Sequence, residues 1–147
     1  MSPPRSAKRT VLIDALRAGL PAALLSGLPS TAYAVLLQCD PLEATVAAGS
    51  ILLPRERRRI RLLAAAIPVH FALSAVWTVG IAVVLPRRNP LAEGTLAGLI
   101  IAALDLGVIG SRFPRIRALK TGPQIADHVA FGIIAAAELA RQAKSLP

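Results

Sequence analysis

Residues 62–85 read LLAAAIPVHFALSAVWTVGIAVVL, a run broken by no lysine, arginine or carboxylate. A hydrocarbon core about 30 Å thick is crossed by about 20 such residues at ~1.5 Å rise each. Backbone N–H and C=O groups inside lipid find no water, so a run of this kind must satisfy them as a helix. Two further runs are nearly as apolar. Residues 18–37 (AGLPAALLSGLPSTAYAVLL) carry Pro21 and Pro29 as expected bends, and residues 94–111 read GTLAGLIIAALDLGVIGS. The latter is introduced by NPLAEG, where Asn89 suits a helix cap and Pro90 the first helical position.

Residues 123–140 (PQIADHVAFGIIAAAELA) are a fourth, weaker candidate, interrupted by Asp127, His128 and Glu138. Their polarity predicts a helix shielded by its neighbours rather than bathed in lipid. Between the first two runs lies DPLEATVAAGSILLP. Asp40 as N-cap, Pro41 at N1 and Glu43 at N3 predict a short helix over 41–53. It would reach only about 20 Å, which suits the membrane interface. The expected fold is therefore an all-α integral membrane bundle of four transmembrane helices with one short interfacial helix. It places a polar basic tail over 1–13, one membrane domain over 14–140 and a second tail over 141–147.

Composition agrees with this: 54% of the 147 residues are hydrophobic, 17% are charged and mean hydropathy is +0.60. The net charge of +9 raises nucleic acid as a partner. With 3% aromatic residues there is little on which to stack bases, and the basic residues fall in short clusters between apolar runs. Loops resting on anionic lipid headgroups account for the charge, and the expected partners are the bilayer, those headgroups, and a second copy or another membrane protein. Cys39 is the single cysteine, so no disulfide forms within the chain.

Charge leaves the orientation open. With four crossings, Arg5, Lys8, Arg9, Arg17, Arg87, Arg88, Arg141 and Lys144 share one side. Arg55, Arg57, Arg58, Arg59, Arg61, Arg112, Arg115, Arg117 and Lys120 share the other, a nearly even split. A crossing by 41–53 would polarise the charge strongly, but its length argues against one. The basic start, apolar core and Ala32-Tyr33-Ala34 also resemble a secretory signal with its cleavage site, an alternative that would remove the first span.

On a helical wheel Gly94, Gly98, Ala102 and Asp105 form one stripe. Small residues at this spacing let helices approach closely in lipid, so Asp105 is expected to face another helix. His70 and His128 fall at depths similar to Asp105, which predicts a polar layer inside the bundle. The leading reading is a structural or accessory bundle cemented by that layer. The alternative is a proton-, ion-, metal- or haem-linked membrane protein. His70 and His128 are then the candidate haem ligands, and His70, Asp105 and His128 the candidate metal ligands. No cofactor and no catalytic residue is assigned: Ser30 and Ser74 lack a nucleophile-elbow setting, and there is no glycine-rich phosphate loop.

The order of parts resembles the small bacterial inner-membrane proteins grouped around YagU. GLPSTAY in the first helix, DPLEATVAAGSILLP after it, VHFALSAVWTVGIAVVLPRR in the second span and IADHVAFG opening the last carry the likeness over most of residues 15–140. His70 and His128 resemble the helix-start histidines of that group. The resemblance implies a multi-pass protein of the bacterial plasma membrane and leaves its activity open.

Overall fold

The computed structural model describes residues 5–86 and 88–144, with side chains described from Leu12 onward. The side chains of Arg5, Lys8 and Arg9, residue Arg87 and the last three residues lie outside the described part. The chain is helical throughout, with no strand among the described residues. Among the described residues seven α-helices follow in order: α1 (Arg5–Leu25), α2 (Leu28–Leu36), α3 (Glu43–Leu52), α4 (Arg59–Val84), α5 (Pro90–Ala102), α6 (Pro114–Arg117) and α7 (Thr121–Lys144). Beyond Ala102 the axis of α5 continues through a π-helical stretch, Ala103–Ile109, and a 3-10 turn, Gly110–Arg112.

Three segments are long and apolar enough to cross a membrane: Leu12–Leu36, Arg59–Val84 and Pro90–Arg112. The first starts earlier than expected, while a bend at Pro29 is as expected. Helix begins at Arg5, inside the segment expected to be a polar tail, and the span is broken at Ser26-Gly27. Pro29 explains the break, because it has no N–H to donate back across the turn and it restricts Leu28 before it. Pro21 and Pro68, by contrast, sit inside continuous helix.

The short helix is present as Glu43–Leu52, but its cap is a correction to the sequence reading. Asp40 does not cap; Leu42 holds the N-cap position without a side-chain bond. The Asp40 carboxylate accepts from Leu42 N at 3.0 Å and pairs with Arg59 at 2.6 Å, so it closes a turn one step before the helix and ties α3 to α4. Asn89 does cap α5: its side chain accepts from Ala92 N, while Glu93 accepts from the backbone of Arg88 and Asn89.

Small residues govern the packing. α1 lays Ala15, Ala18 and Ala22 against its neighbours, with Gly19 against Thr78 of α4, and turns Leu12, Leu16, Leu20 and Leu24 outward. α5 and α7 are pressed together so closely that a Cβ on Gly94 would strike the Gly132 carbonyl 2.6 Å away. A Cβ on Gly98 would strike the His128 carbonyl, and one on Gly132 the Gly94 carbonyl. Ala102 is buried one turn further along the same stripe. α7 packs against α1, α2, α4 and α5 and buries Phe131, Gly132, Ala135, Ala136, Leu139 and Ala140. Its centrality explains how a helix carrying Asp127, His128 and Glu138 fits among apolar ones.

Candidate functional site

Two irregular stretches of backbone face one interior space. The first is the break between α1 and α2. The last turn of a helix leaves carbonyls unpaired, and the first turn leaves N–H groups unpaired. Here both are met from other helices. The Ala23 carbonyl accepts from His70 Nε2 at 2.7 Å, and Ser30 N donates to Asp127 Oδ1 at 2.8 Å. His70 on α4 and Asp127 on α7 thus bracket the broken helix from either side. The second irregularity is the π-helical stretch, within which Asp105 lies. Such wide turns recur at functional sites because they re-aim a side chain without ending the helix.

Asp105 points into the bundle, with 14% of its side chain exposed. Its Oδ2 accepts from the indole of Trp77 at 3.0 Å and faces His128 Nε2 at 3.3 Å. Its Oδ1 is buried and meets no hydrogen-bond partner among the described residues. His128 is fixed at its other nitrogen, where Nδ1 lies 2.7 Å from the Gln124 carbonyl. A carbonyl only accepts, so Nδ1 carries the proton.

That assignment has a consequence for Nε2. In a neutral imidazole protonated at Nδ1, Nε2 presents a lone pair, and here it would meet carboxylate oxygen. Two acceptors do not bond. The contact is attractive only with a proton on the line between them, as imidazolium with carboxylate or as imidazole with carboxylic acid. A hydrogen bond at this contact therefore needs one proton more than a deprotonated aspartate beside a neutral histidine supplies.

Around this pair lies a cavity of about 440 Å³. His70, Trp77, Asp105, Asp127 and His128 all line it, and Ser30 adds the edge of the broken helix. Ala44, Thr45 and Ala48 of α3 and Ile116 of α6 also line it. Among the described residues no lysine or arginine lines it.

The sequence-derived layer is thus only partly assembled as expected. Asp105 and His128 meet. His70 lines the same cavity but joins neither, because the break in α1 exposes the Ala23 carbonyl and His70 satisfies it. His70 Nε2 is turned to that carbonyl and His128 Nε2 to Asp105. Among the described residues no three histidine, cysteine, aspartate or glutamate side chains gather closely enough to hold a metal ion. Trp77 and Asp127 are participants the sequence reading did not assign. The signal for Asp127 was its place one residue before His128, and for Trp77 its place one helical turn beyond Ser74.

Comparison with protein-family models, with curated proteins and with solved structures finds no match to the chain.

Proposed function

We propose that this is a multi-pass protein of the bacterial plasma membrane whose bundle encloses a proton-linked binding cavity. In this reading α7 is a fourth crossing, shielded by the other helices, and α3 lies in the interface as part of the cavity wall. Three apolar helices of spanning length and the central position of α7 support the membrane placement. A bundle cemented by polar groups alone is the competing view. Cement favours dense packing and complete pairing, whereas here Asp105 lines a cavity and one of its oxygens is buried without a partner among the described residues. Broken backbone at membrane depth is tolerated where it lines such a space, and it marks binding sites in transporters.

One observation carries the proton-linked reading: both ring nitrogens of His128 face acceptors, so the contact with Asp105 requires a shared proton. The chain supplies its own reporter, since Trp77 is the single tryptophan and donates to the same Asp105 oxygen. Trp77 emission of the purified protein in lipid nanodiscs, followed between about pH 4 and 9 where carboxylates and imidazoles titrate, should show a reversible step. Asp105→Asn and His128→Gln should each remove the step while helical circular dichroism is retained. A flat profile in the unmodified protein overturns the reading.

A further inference from the structure

We infer that the cavity takes a small organic monocation, a primary ammonium on an apolar body, and that its binding expels the proton shared by Asp105 and His128. The inference rests on the proton-linked reading and adds the class of ligand.

Size comes first: about 440 Å³ falls within the range of small-molecule sites. Charge comes second. Among the described residues the ionisable groups on the wall are two carboxylates, Asp105 and Asp127, and two imidazoles, His70 and His128, with no lysine or arginine. An anion there would lie beside two carboxylates with no permanent positive charge to meet it. A cation finds the part-exposed Asp105 carboxylate, whose Oδ2 keeps only the Trp77 donor once the shared proton has gone. An ammonium brings three N–H donors. Shape comes third. Phe71, Trp77 and Phe131 also line the cavity, and their ring faces attract a cation while Ile101 and Leu106 accommodate an apolar body. The exposed arginines of the 55–61 and 112–117 segments stand outside this wall, where solvent and salt screen them.

Exchange follows from the cost of net charge in a poorly polarisable interior. Before binding, the Asp105–His128 pair holds one proton. When the ammonium enters, that proton leaves to bulk water and His128 becomes neutral, its Nδ1–H still on Gln124. Asp105 trades the imidazolium for the ammonium as its counter-charge. One positive charge enters and one leaves, with no bond to carbon formed or broken.

The test uses the full chain in nanodiscs and three probes of one shape: phenethylammonium, 2-phenylethanol and phenylacetate. Phenethylammonium should change Trp77 emission saturably. Its affinity should fall by about tenfold for each pH unit below the midpoint of the pair, as competition with one proton requires. Asp105→Asn should weaken binding by at least about tenfold, the loss expected when the counter-charge is removed. His128→Gln keeps the carboxylate and should bind phenethylammonium with an affinity independent of pH over the same range, which also shows that the cavity survives substitution. Equal binding of 2-phenylethanol or phenylacetate overturns the inference, as does a pH-independent affinity in the unmodified protein. If Trp77 titrates with pH but phenethylammonium has no effect, the ligand class is wrong and the proton-linked reading stands. If Trp77 does not titrate, that underlying reading fails.

Discussion

The indole nitrogen of Trp77 donates to Asp105 Oδ2 at 3.0 Å, and the same oxygen faces Nε2 of His128 at 3.3 Å. One carboxylate oxygen therefore joins α4, the π-helical end of the third apolar segment, and α7, while its twin Oδ1 stays unpaired. The bundle is tied together at the group that is also least satisfied within it.

Trp77→Phe isolates the contribution of the indole donor. The ring volume is largely kept, but Asp105 Oδ2 loses a hydrogen bond in a buried setting. Loss of a donor to a buried acceptor costs about 1–3 kcal/mol. Thermal unfolding in a fixed detergent should show that loss, and it should shrink in an Asp105→Asn background, where the acceptor no longer carries charge. Equal losses in both backgrounds would mean that Trp77 acts through packing alone.

How far the sequence foretells this arrangement differs from residue to residue. Gly94, Gly98 and Asp105 share a stripe by arithmetic on the helical period, so their common face needs no tertiary knowledge. The contact between Asp105 and His128 required more: two helices at the right depth and a π-helical stretch to aim the carboxylate. The partner of His70 was not legible, because it is a backbone carbonyl exposed only by a break whose position depends on Pro29. Asp127 reads in one dimension as a polar interruption, and only the approach of α2 to α7 turns it into the acceptor for Ser30 N. Asp40 shows the opposite failure. Its local pattern suits a helix cap, but a long-range partner, Arg59, claims the carboxylate.

The contact between α5 and α7 admits no extra atoms. Gly98→Ala would press a methyl group onto the His128 backbone, which also carries the proton-holding side chain. Overpacking of this kind typically costs about 1–3 kcal/mol. We expect Gly98→Ala to lower the unfolding temperature and to perturb the Trp77 pH step. Gly80→Ala, in α4 with open space around its Cβ position, should do neither. Comparable effects at both glycines would remove the close approach as the cause.

The Asp40–Arg59 pair predicts an acid-sensitive tie between the start of α4 and the turn before α3. A hydrogen bond from the Arg59 guanidinium, helped by the Leu42 N–H, holds the Asp40 carboxyl below its ordinary value of 3.8. A carboxyl lowered in the folded state stabilises the protein above its unfolded pKa, and that contribution fades as pH falls through the lower folded value. Stability measured from about pH 5 down to about pH 2 should decline in the unmodified protein. Asp40→Asn should remove its share of the decline and flatten the curve. Because both side chains are exposed, the difference should also diminish in high salt. A steeper curve for Asp40→Asn, or none of the expected salt dependence, would contradict the assignment.

The single cysteine decides the number of crossings. Cys39 is exposed just beyond α2, at the end of the first apolar segment and before the short helix. If α3 lies in the interface, Cys39 shares a side with Arg57 in the loop after it, and both lie opposite Arg88 in the loop before α5. If α3 crosses instead, Cys39 and Arg57 part company and Arg88 joins Cys39. A membrane-impermeant maleimide applied to sealed vesicles of one orientation should therefore treat Cys39 and an introduced Arg57→Cys alike, the latter in a Cys39→Ser background. Arg88→Cys in that background should react from the other side. Opposite reactivity of Cys39 and Arg57→Cys would make α3 a crossing helix. It would also place the basic clusters of 55–61 and 112–120 on the side of the N-terminus, and the cavity wall formed by Ala44, Thr45 and Ala48 would then lie within the membrane.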